Sequence, residues 1–192
     1  MRLRRASALL SAGLSAGLAS QGWAFDLCHD RGDALAQYLN GEWQMQSLGS
    51  RVYRGDGYRV QGDYGAETVT LDFAADGTGT ITTSAAPLKA RLHDQGGFPI
   101  AALEYHLGGL TAAFKETTKA QRAAVEACDM RNVPQFSAEA KIDGAPSHIE
   151  LVAMGTDLFV GAQVITLPGS RDVPETKIVT ALLMRRSSGG SQ

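Results

Sequence analysis

The chain has 192 residues, of which 44% are hydrophobic and 20% charged, and its formal net charge is -2. This composition excludes a disordered tail and a polytopic membrane protein, and the charge excludes the basic footprint of a nucleic-acid-binding protein. With 22 Gly and only 6 Pro, the chain favours a β fold with many tight turns over a helical bundle.

The first 24 residues have the pattern of a secretory signal peptide. A basic start with three Arg is followed by an apolar stretch from Ala6 to Ala19. This stretch is too short and too rich in Ser and Gly for a transmembrane anchor, which needs about 20 apolar residues. Cleavage is expected after Ala24 or, as the second candidate, after Ala19. The sequence therefore predicts a periplasmic or secreted protein without a transmembrane anchor once the signal is removed.

Signal removal also changes the charge of the chain. Without the three Arg of the signal, the 18 basic residues fall to 15 against 20 acidic ones, which gives a net charge of -5. That mild acidity favours solubility and disfavours binding to DNA or to an anionic lipid surface.

The remaining chain contains two cysteines, Cys28 and Cys128. An exported chain meets an oxidising environment, so a single disulfide is predicted. In the chain-entropy model a loop of this length stabilises the fold by about 4–5 kcal/mol. A redox-active or nucleophilic cysteine is the alternative, although the chain has no Cys-x-x-Cys motif.

Residues Asp30–Asn40 have apolar side chains at helical spacing, which predicts a short helix. Most of the chain after it has the composition and alternation of β-strands bounded by turn residues. Strands are predicted at Glu42–Leu48, Arg51–Gln61, Glu67–Ala74, Thr78–Ser84, Phe98–Leu107, Phe136–Ile142, His148–Met154, Leu158–Leu167 and Thr176–Arg185.

Turn residues punctuate these strands. The clearest hairpin signal is Ala75-Asp76-Gly77 between two β-rich runs. Asp143-Gly144 and Gly155-Thr156-Asp157 predict two further turns. Gly55 and Gly57 interrupt one predicted strand and indicate a bulge or a turn there.

One long segment differs from the β pattern. Lys115–Met130 is rich in good helix formers and predicts a helix inserted into the sheet. Residues 187–192 are rich in Gly and Ser and are predicted to be disordered. Since no linker divides the chain, residues 25–186 are expected to form one domain: mainly β, a single closed antiparallel barrel of about eight strands or else a β-sandwich.

Three short motifs resemble those of the lipocalins and of the wider group of calycin barrels. That family has Gly-x-Trp at the start of the first strand, Thr-Asp-Tyr in a late hairpin, and Arg at the end of the last barrel strand. This chain has Gly41-Glu42-Trp43, Thr156-Asp157-Leu158 and Arg185-Arg186 in the same order, over most of residues 30–186. Leu158 departs from the family pattern.

The resemblance implies structural roles for these residues. The Trp43 ring would close one end of the barrel. The guanidinium of Arg185 or Arg186 would stack on its face, a cation–π contact of about 1–2 kcal/mol when desolvated. Gly41, Thr156 and Asp157 would have structural roles as well.

Six aromatic residues fall on different predicted strands. An eight-stranded barrel has just enough interior for one small ligand, so rings that point inward would line an apolar pocket. The same rings could instead fill a solid core. The candidate ligand-binding set is Tyr53, Tyr58, Phe73, Tyr105, Phe136 and Phe159.

No catalytic signature is evident. The four His have no metal-binding spacing, and the chain lacks Gly-x-Ser-x-Gly. The sequence therefore predicts no catalytic residue, metal or cofactor.

The sequence favours an exported, non-enzymatic barrel that binds a small apolar ligand such as a lipid or pigment. One alternative is an envelope accessory or inhibitor protein with a filled barrel, whose contact surface is Lys115–Met130. The other is an enzyme that uses His and Asp at the barrel mouth.

Overall fold

One helix and nine strands make up the part of the chain that a computed structural model describes, namely residues 25–62, 65–93, 119, 123, 128 and 132–187. The helix α1 spans Gly32–Leu39. The strands are β1 Gly41–Arg54, β2 Gly57–Gln61, β3 Ala66–Phe73, β4 Thr78–Thr82, β5 Pro87–His93, β6 Gln135–Ile142, β7 Ala145–Ala153, β8 Leu158–Leu167 and β9 Thr176–Arg186.

Eight of these strands close into an antiparallel barrel. The strands β1, β3, β4, β5, β6, β7, β8 and β9 pair in that order, and β9 returns to pair with β1 from Trp43 to Arg54. The remaining strand, β2, forms a hairpin with the second half of β1. The predicted mainly β fold with a closed barrel is confirmed, and the sandwich alternative is excluded.

β1 is one strand where two were predicted. The predicted break lies at Gly49, but the structure has a β-bulge between Ser47 and Gly49, across which the pairing of β1 with β9 continues. Gly49 has φ 122°, a conformation that favours glycine. The second predicted strand, Arg51–Gln61, is a hairpin, because the chain turns at Gly55 with φ 57°.

β5 was not predicted from the sequence, although its apolar and basic residues alternate; it begins with Pro87, a residue that is uncommon in strands. Its inward residues Leu88, Ala90 and Leu92 are nevertheless buried. The strand predicted at Phe98–Leu107 lies outside the described residues. So does the helix predicted at Lys115–Met130, apart from residues 119, 123 and 128, of which the first two have helical backbone.

The predicted hairpin turns are confirmed. Asp76 accepts hydrogen bonds from the Thr78 backbone at 2.9 Å and from its hydroxyl at 2.7 Å, so the carboxylate holds the turn between β3 and β4. Asp143 and Gly144 both have positive φ, at 49° and 82°, in the two-residue turn between β6 and β7. This is the conformation that a tight hairpin with the twist of its strands requires.

Helix α1 lies across one end of the barrel, which we call the closed end. Asn40 forms two hydrogen bonds with the backbone of Phe73 at the end of β3, at 2.6 and 3.0 Å. The hydroxyl of Tyr38 donates to the carbonyl of Thr156 between β7 and β8. Leu35 and Leu39 are fully buried beneath the helix. Thus α1 is fixed to both sides of the barrel.

Cys28 and Cys128 form a disulfide, with their Cα atoms 5.4 Å apart. The predicted pairing is confirmed. Cys28 lies four residues before α1, so the bridge joins the closed end to a position 100 residues later in the chain. Within the described ranges, no helix has the length and apolar character needed to cross a membrane.

Candidate functional site

The closed half of the barrel is filled by aromatic rings. The Phe136 ring centroid lies 5.7 Å from that of Phe73 and 5.2 Å from that of Phe159, and Phe159 meets Trp43 edge-on at 5.4 Å. All four side chains are buried, with at most 3% exposure. Three of the six candidate ligand-binding residues therefore pack against one another in the core.

The other candidate ligand-binding residues lie elsewhere. Tyr53 and Tyr58 face each other across the β1–β2 hairpin, with ring centroids 5.8 Å apart. Tyr58 is 61% exposed, and the guanidinium of Arg51 lies 5.4 Å from its ring. Tyr105 lies outside the described residues. Binding by the six aromatic residues stays a prediction.

A cavity of about 570 Å³ opens at the end of the barrel opposite α1, and we call it the mouth cavity. Its volume is in the range of sites for small organic molecules. The lining combines apolar side chains with hydroxyl, amide and carboxylate groups. The mouth cavity is lined by Met45, Ser47, Gly65, Ala66, Glu67, Ser84, Gln163, Ile165, Ile178, Thr180 and Leu182.

The bulge in β1 places two serines on the inner face of the barrel. Without it, Ser47 and Ser50 would point to opposite faces, since they are three residues apart and a strand alternates. The Ser50 hydroxyl is 2.6 Å from that of Thr180 on β9. Ser47 is only 8% exposed, and its buried hydroxyl oxygen has no hydrogen-bond partner among the described residues.

Such an unpaired buried hydroxyl is unfavourable unless something else hydrogen-bonds to it. Across the cavity, the Gln163 amide on β8 donates to the Ser147 hydroxyl on β7 at 3.0 Å. The inner wall of the mouth therefore offers polar groups at fixed positions between apolar side chains.

One rim of the mouth is acidic. Glu67 is at the start of β3, and its carboxylate accepts hydrogen bonds from the Ser84 backbone at 3.0 Å and from the Ser84 hydroxyl at 2.7 Å. These two bonds hold the carboxylate against the loop that follows β4, beside the opening of the cavity.

A second cavity, of about 420 Å³, lies farther along β1 and β9, and we call it the arginine cleft. Its lining residues are Val52, Arg54, Gly57, Tyr58, Arg59 and Thr176. On the inner face of the β1–β9 pair, Ser50 is opposite Thr180, Val52 is opposite Ile178, and Arg54 is opposite Thr176. The wall of the mouth cavity therefore continues directly into the arginine cleft.

Trp43 lies at the closed end, where its indole NH donates to the carbonyl of Leu39 at 2.8 Å. The Arg186 guanidinium lies 4.7 Å from the Trp43 ring and 4.5 Å from the ring of Tyr38. It also donates to the carbonyl of Tyr38. Arg185, by contrast, is exposed.

The other motif residues lie around the same end. Gly41 joins α1 to β1 with φ 116°. Thr156 and Asp157 form the turn between β7 and β8, where the Asp157 carbonyl accepts from the backbone NH of Arg186 at 3.0 Å. The three motifs thus meet at the closed end of the barrel, on the side opposite the mouth cavity.

The described histidines lie away from the mouth cavity. On the outer wall, His148 Nε2 is 2.6 Å from Glu150 Oε1, and this hydrogen bond raises the pKa of the imidazole above its ordinary value. His93 Nε2 is 2.9 Å from the Ser137 hydroxyl, and His29 is paired with Asp26 before α1. In the part of the chain with assigned positions, no group of three His, Cys, Asp or Glu side chains is arranged to bind a metal.

Comparison of the chain with protein-family models, with curated proteins and with solved structures finds no match in any of the three. The closed eight-stranded barrel is of the kind found in lipocalins, and membership in that family stays a prediction.

Proposed function

We propose that this protein is an exported, non-enzymatic β-barrel that binds a small, largely apolar molecule in its mouth cavity. The observation that carries the proposal is the cavity itself: about 570 Å³ at the open end of a barrel whose other half is solidly packed. The Met45, Ile165, Ile178 and Leu182 side chains would contact the apolar body of the ligand.

The polar groups of the cavity would orient the ligand. A ligand group that hydrogen-bonds to Ser47 would satisfy its unpaired hydroxyl, and Gln163 and Thr180 are available beside it. Export is supported by the signal-like first 24 residues and by the Cys28–Cys128 disulfide, because such bonds persist outside the reducing cytosol.

The test is a fluorescence titration with N-phenyl-1-naphthylamine, a neutral apolar dye that fluoresces on entering an apolar site. We expect saturable binding to the wild-type protein. The Ile178→Trp variant should bind at least about ten-fold more weakly, because the indole would occupy the cavity that Ile178 lines.

The matched control is Val164→Trp. Val164 is half-buried on β8, and it pairs with His148 and Val179, whose side chains are on the outer face of the barrel. The same ring added there should change dye affinity by less than about two-fold. Circular dichroism establishes that both variants are folded. Unsaturable wild-type binding, or equal binding by the folded Ile178→Trp variant, would refute the proposal.

A further inference from the structure

We infer that the ligand of the mouth cavity is an anionic amphiphile, whose carboxylate or phosphate head is bound by Arg54 and Arg59 in the arginine cleft. This inference rests on the proposed function, because it assigns the apolar body of the ligand to the mouth cavity. It adds the charge of the ligand, the position of its head group and the orientation in which it binds.

The two arginines share one face of the β1–β2 hairpin. Arg54 is opposite Gly57, and Arg59, two residues farther along β2, is opposite Val52. Their side chains are therefore diagonal neighbours, close enough for both guanidinium groups to contact one head group. Since Gly57 has no side chain, a space is left beside Arg54, and the cleft of about 420 Å³ includes it.

Both guanidinium groups are available to a ligand. Arg54 and Arg59 are exposed, and neither forms an ion pair or side-chain hydrogen bond with any of the residues that have assigned positions. The carboxylates nearest in sequence are Asp56, in the turn between the two strands, and Asp63, which lies outside the described residues. Glu175, which precedes Thr176 of the cleft, is paired with Lys177 at 3.4 Å. Two like charges on one face repel each other, and an anion between them would remove that repulsion.

The cleft and the cavity are neighbours along β1 and β9, which places them on one path for a ligand. Thr180 and Ile178 line the mouth cavity, and Thr176, two residues earlier on β9, lines the arginine cleft. Two residues of a strand span about 7 Å, which a short alkyl chain or one ring crosses. A molecule with an apolar body between Met45 and Ile178 would thus place its head group at the two arginines.

The charges at the two ends of the path differ in sign. Glu67 is opposite Met45, whose partner on β9 is Met184, eight residues from Thr176. The acidic rim is therefore about 26 Å along the sheet from the arginine cleft. An anionic head would be repelled at Glu67 and attracted at Arg54 and Arg59, so the charges favour one orientation of the ligand.

Two dyes that differ by one charged group test this inference. 8-Anilino-1-naphthalenesulfonate is N-phenyl-1-naphthylamine with an added sulfonate. We expect the wild-type protein to bind the sulfonate at least about ten-fold more tightly than the neutral dye at 50 mM salt, with a smaller preference at 500 mM. The two dyes should compete, and Ile178→Trp should weaken both.

The Arg54→Gln/Arg59→Gln variant should lose that preference and keep its affinity for the neutral dye. The Arg54→Lys/Arg59→Lys variant should retain most of the preference, because it keeps both positive charges and changes only the shape of the donor group. The matched control, Lys141→Gln/Arg171→Gln, removes two exposed positive charges that line neither cavity and should behave as wild type. Circular dichroism establishes folding of each variant.

Displacement of the neutral dye identifies the head group. Decanoate and decyl phosphate should displace it at lower concentrations than decyltrimethylammonium, and the better of the two anions indicates a carboxylate or a phosphate ligand. If the neutral dye binds but the Gln variant keeps the sulfonate preference, or if the cationic amphiphile displaces best, the inference is wrong and the proposed function stands. If neither dye binds saturably, both are wrong.

Discussion

Arg186 connects three features of the closed end at the scale of single residues. Its guanidinium contacts the Trp43 and Tyr38 rings, and it donates to the carbonyl of Tyr38 in α1. We predict that Arg186→Leu lowers the free energy of unfolding by about 1–3 kcal/mol, because cation–π contacts and a hydrogen bond to a partly buried carbonyl are lost together. Urea denaturation followed by tryptophan fluorescence measures this change.

Lys141 provides the control for that variant. Its side chain is exposed on β6, so Lys141→Leu should change the free energy of unfolding by less than about 0.5 kcal/mol. Equal losses in the two variants would mean that the Arg186 stack contributes nothing specific.

His148 makes stability depend on pH. The hydrogen bond to Glu150 raises its pKa most, and the charges of Glu150 and of Glu139, at 4.0 Å, raise it further against the opposing effect of burial. A raised pKa in the folded state stabilises the fold below the unfolded value of about 6.5, and this stabilisation is lost as the pH rises through the higher folded value. The gain is below about 1 kcal/mol, since the pair is partly exposed and screened.

The measurement is the free energy of unfolding between pH 5 and pH 9. We expect the wild type to lose stability relative to His148→Gln as the pH rises above about 6.5. The pH-dependent difference should shrink in Glu150→Gln, which removes the main cause of the raised pKa. A difference between wild type and His148→Gln that is constant with pH would contradict the assignment.

Single residues were predictable where sequence motifs mark them. Trp43, Arg186 and the two cysteines belong to recognisable patterns, and the structure places them in contact with the partners or at the end of the barrel that those patterns suggest. The mouth cavity has no such marker. Ser50, whose hydroxyl contacts Thr180 of the lining, faces inward only because of the bulge at Gly49, and a bulge shifts every later side chain of a strand to the other face.

Glycine controls the spacing between strands at the element scale. Gly161 on β8 is paired with Leu151 on β7, and a side chain there would overlap the carbonyl of Glu150. We predict that Gly161→Ala destabilises the barrel by about 3 kcal/mol or more, because the obstacle is backbone and cannot rotate away. Thermal unfolding of the purified variant measures this loss.

Gly62→Ala is the matched control, because a Cβ at that position would meet no atom of the described residues within 4 Å. It should leave the melting temperature nearly unchanged. If Gly161→Ala were as stable as Gly62→Ala, this result would contradict the close approach of β7 and β8 at Gly161.

The elements that the sequence predicted well are those with one buried face. β3 alternates buried and exposed residues from Val69 to Phe73, and its boundaries were predicted to within one residue. β8 is different, since all five residues from Leu158 to Ala162 are buried, including Val160 and Ala162 on the outer face. Its strand was found, but alternation could not indicate which side chains face the interior.

The molecule as a whole has its aromatic core and its cavity at opposite ends. The three motifs, α1 and the disulfide are at the closed end, whereas the polar lining and the arginine cleft are at the mouth. Stability and ligand binding are therefore expected to depend on different residues. Three aromatic residues of the ligand-binding set chosen from the sequence, Phe73, Phe136 and Phe159, lie in the packed core. A core and a ligand pocket both require such rings, so composition alone could not separate the two roles.

The disulfide tests this separation. The Cys28→Ala/Cys128→Ala variant should lose about 4–5 kcal/mol of unfolding free energy in the chain-entropy model, because the bridge closes a loop with a sequence separation of 100 residues. Denaturation of the wild type with and without a reducing agent should show a loss of similar size.

The folded fraction of the same variant should still bind N-phenyl-1-naphthylamine with wild-type affinity. The reason is position: Cys28 precedes α1 at the closed end, and neither cysteine lines the mouth cavity. Folded protein that no longer binds the dye would show that the closed end controls the shape of the cavity. Unchanged stability would mean that the bridge is not a structural constraint on the barrel.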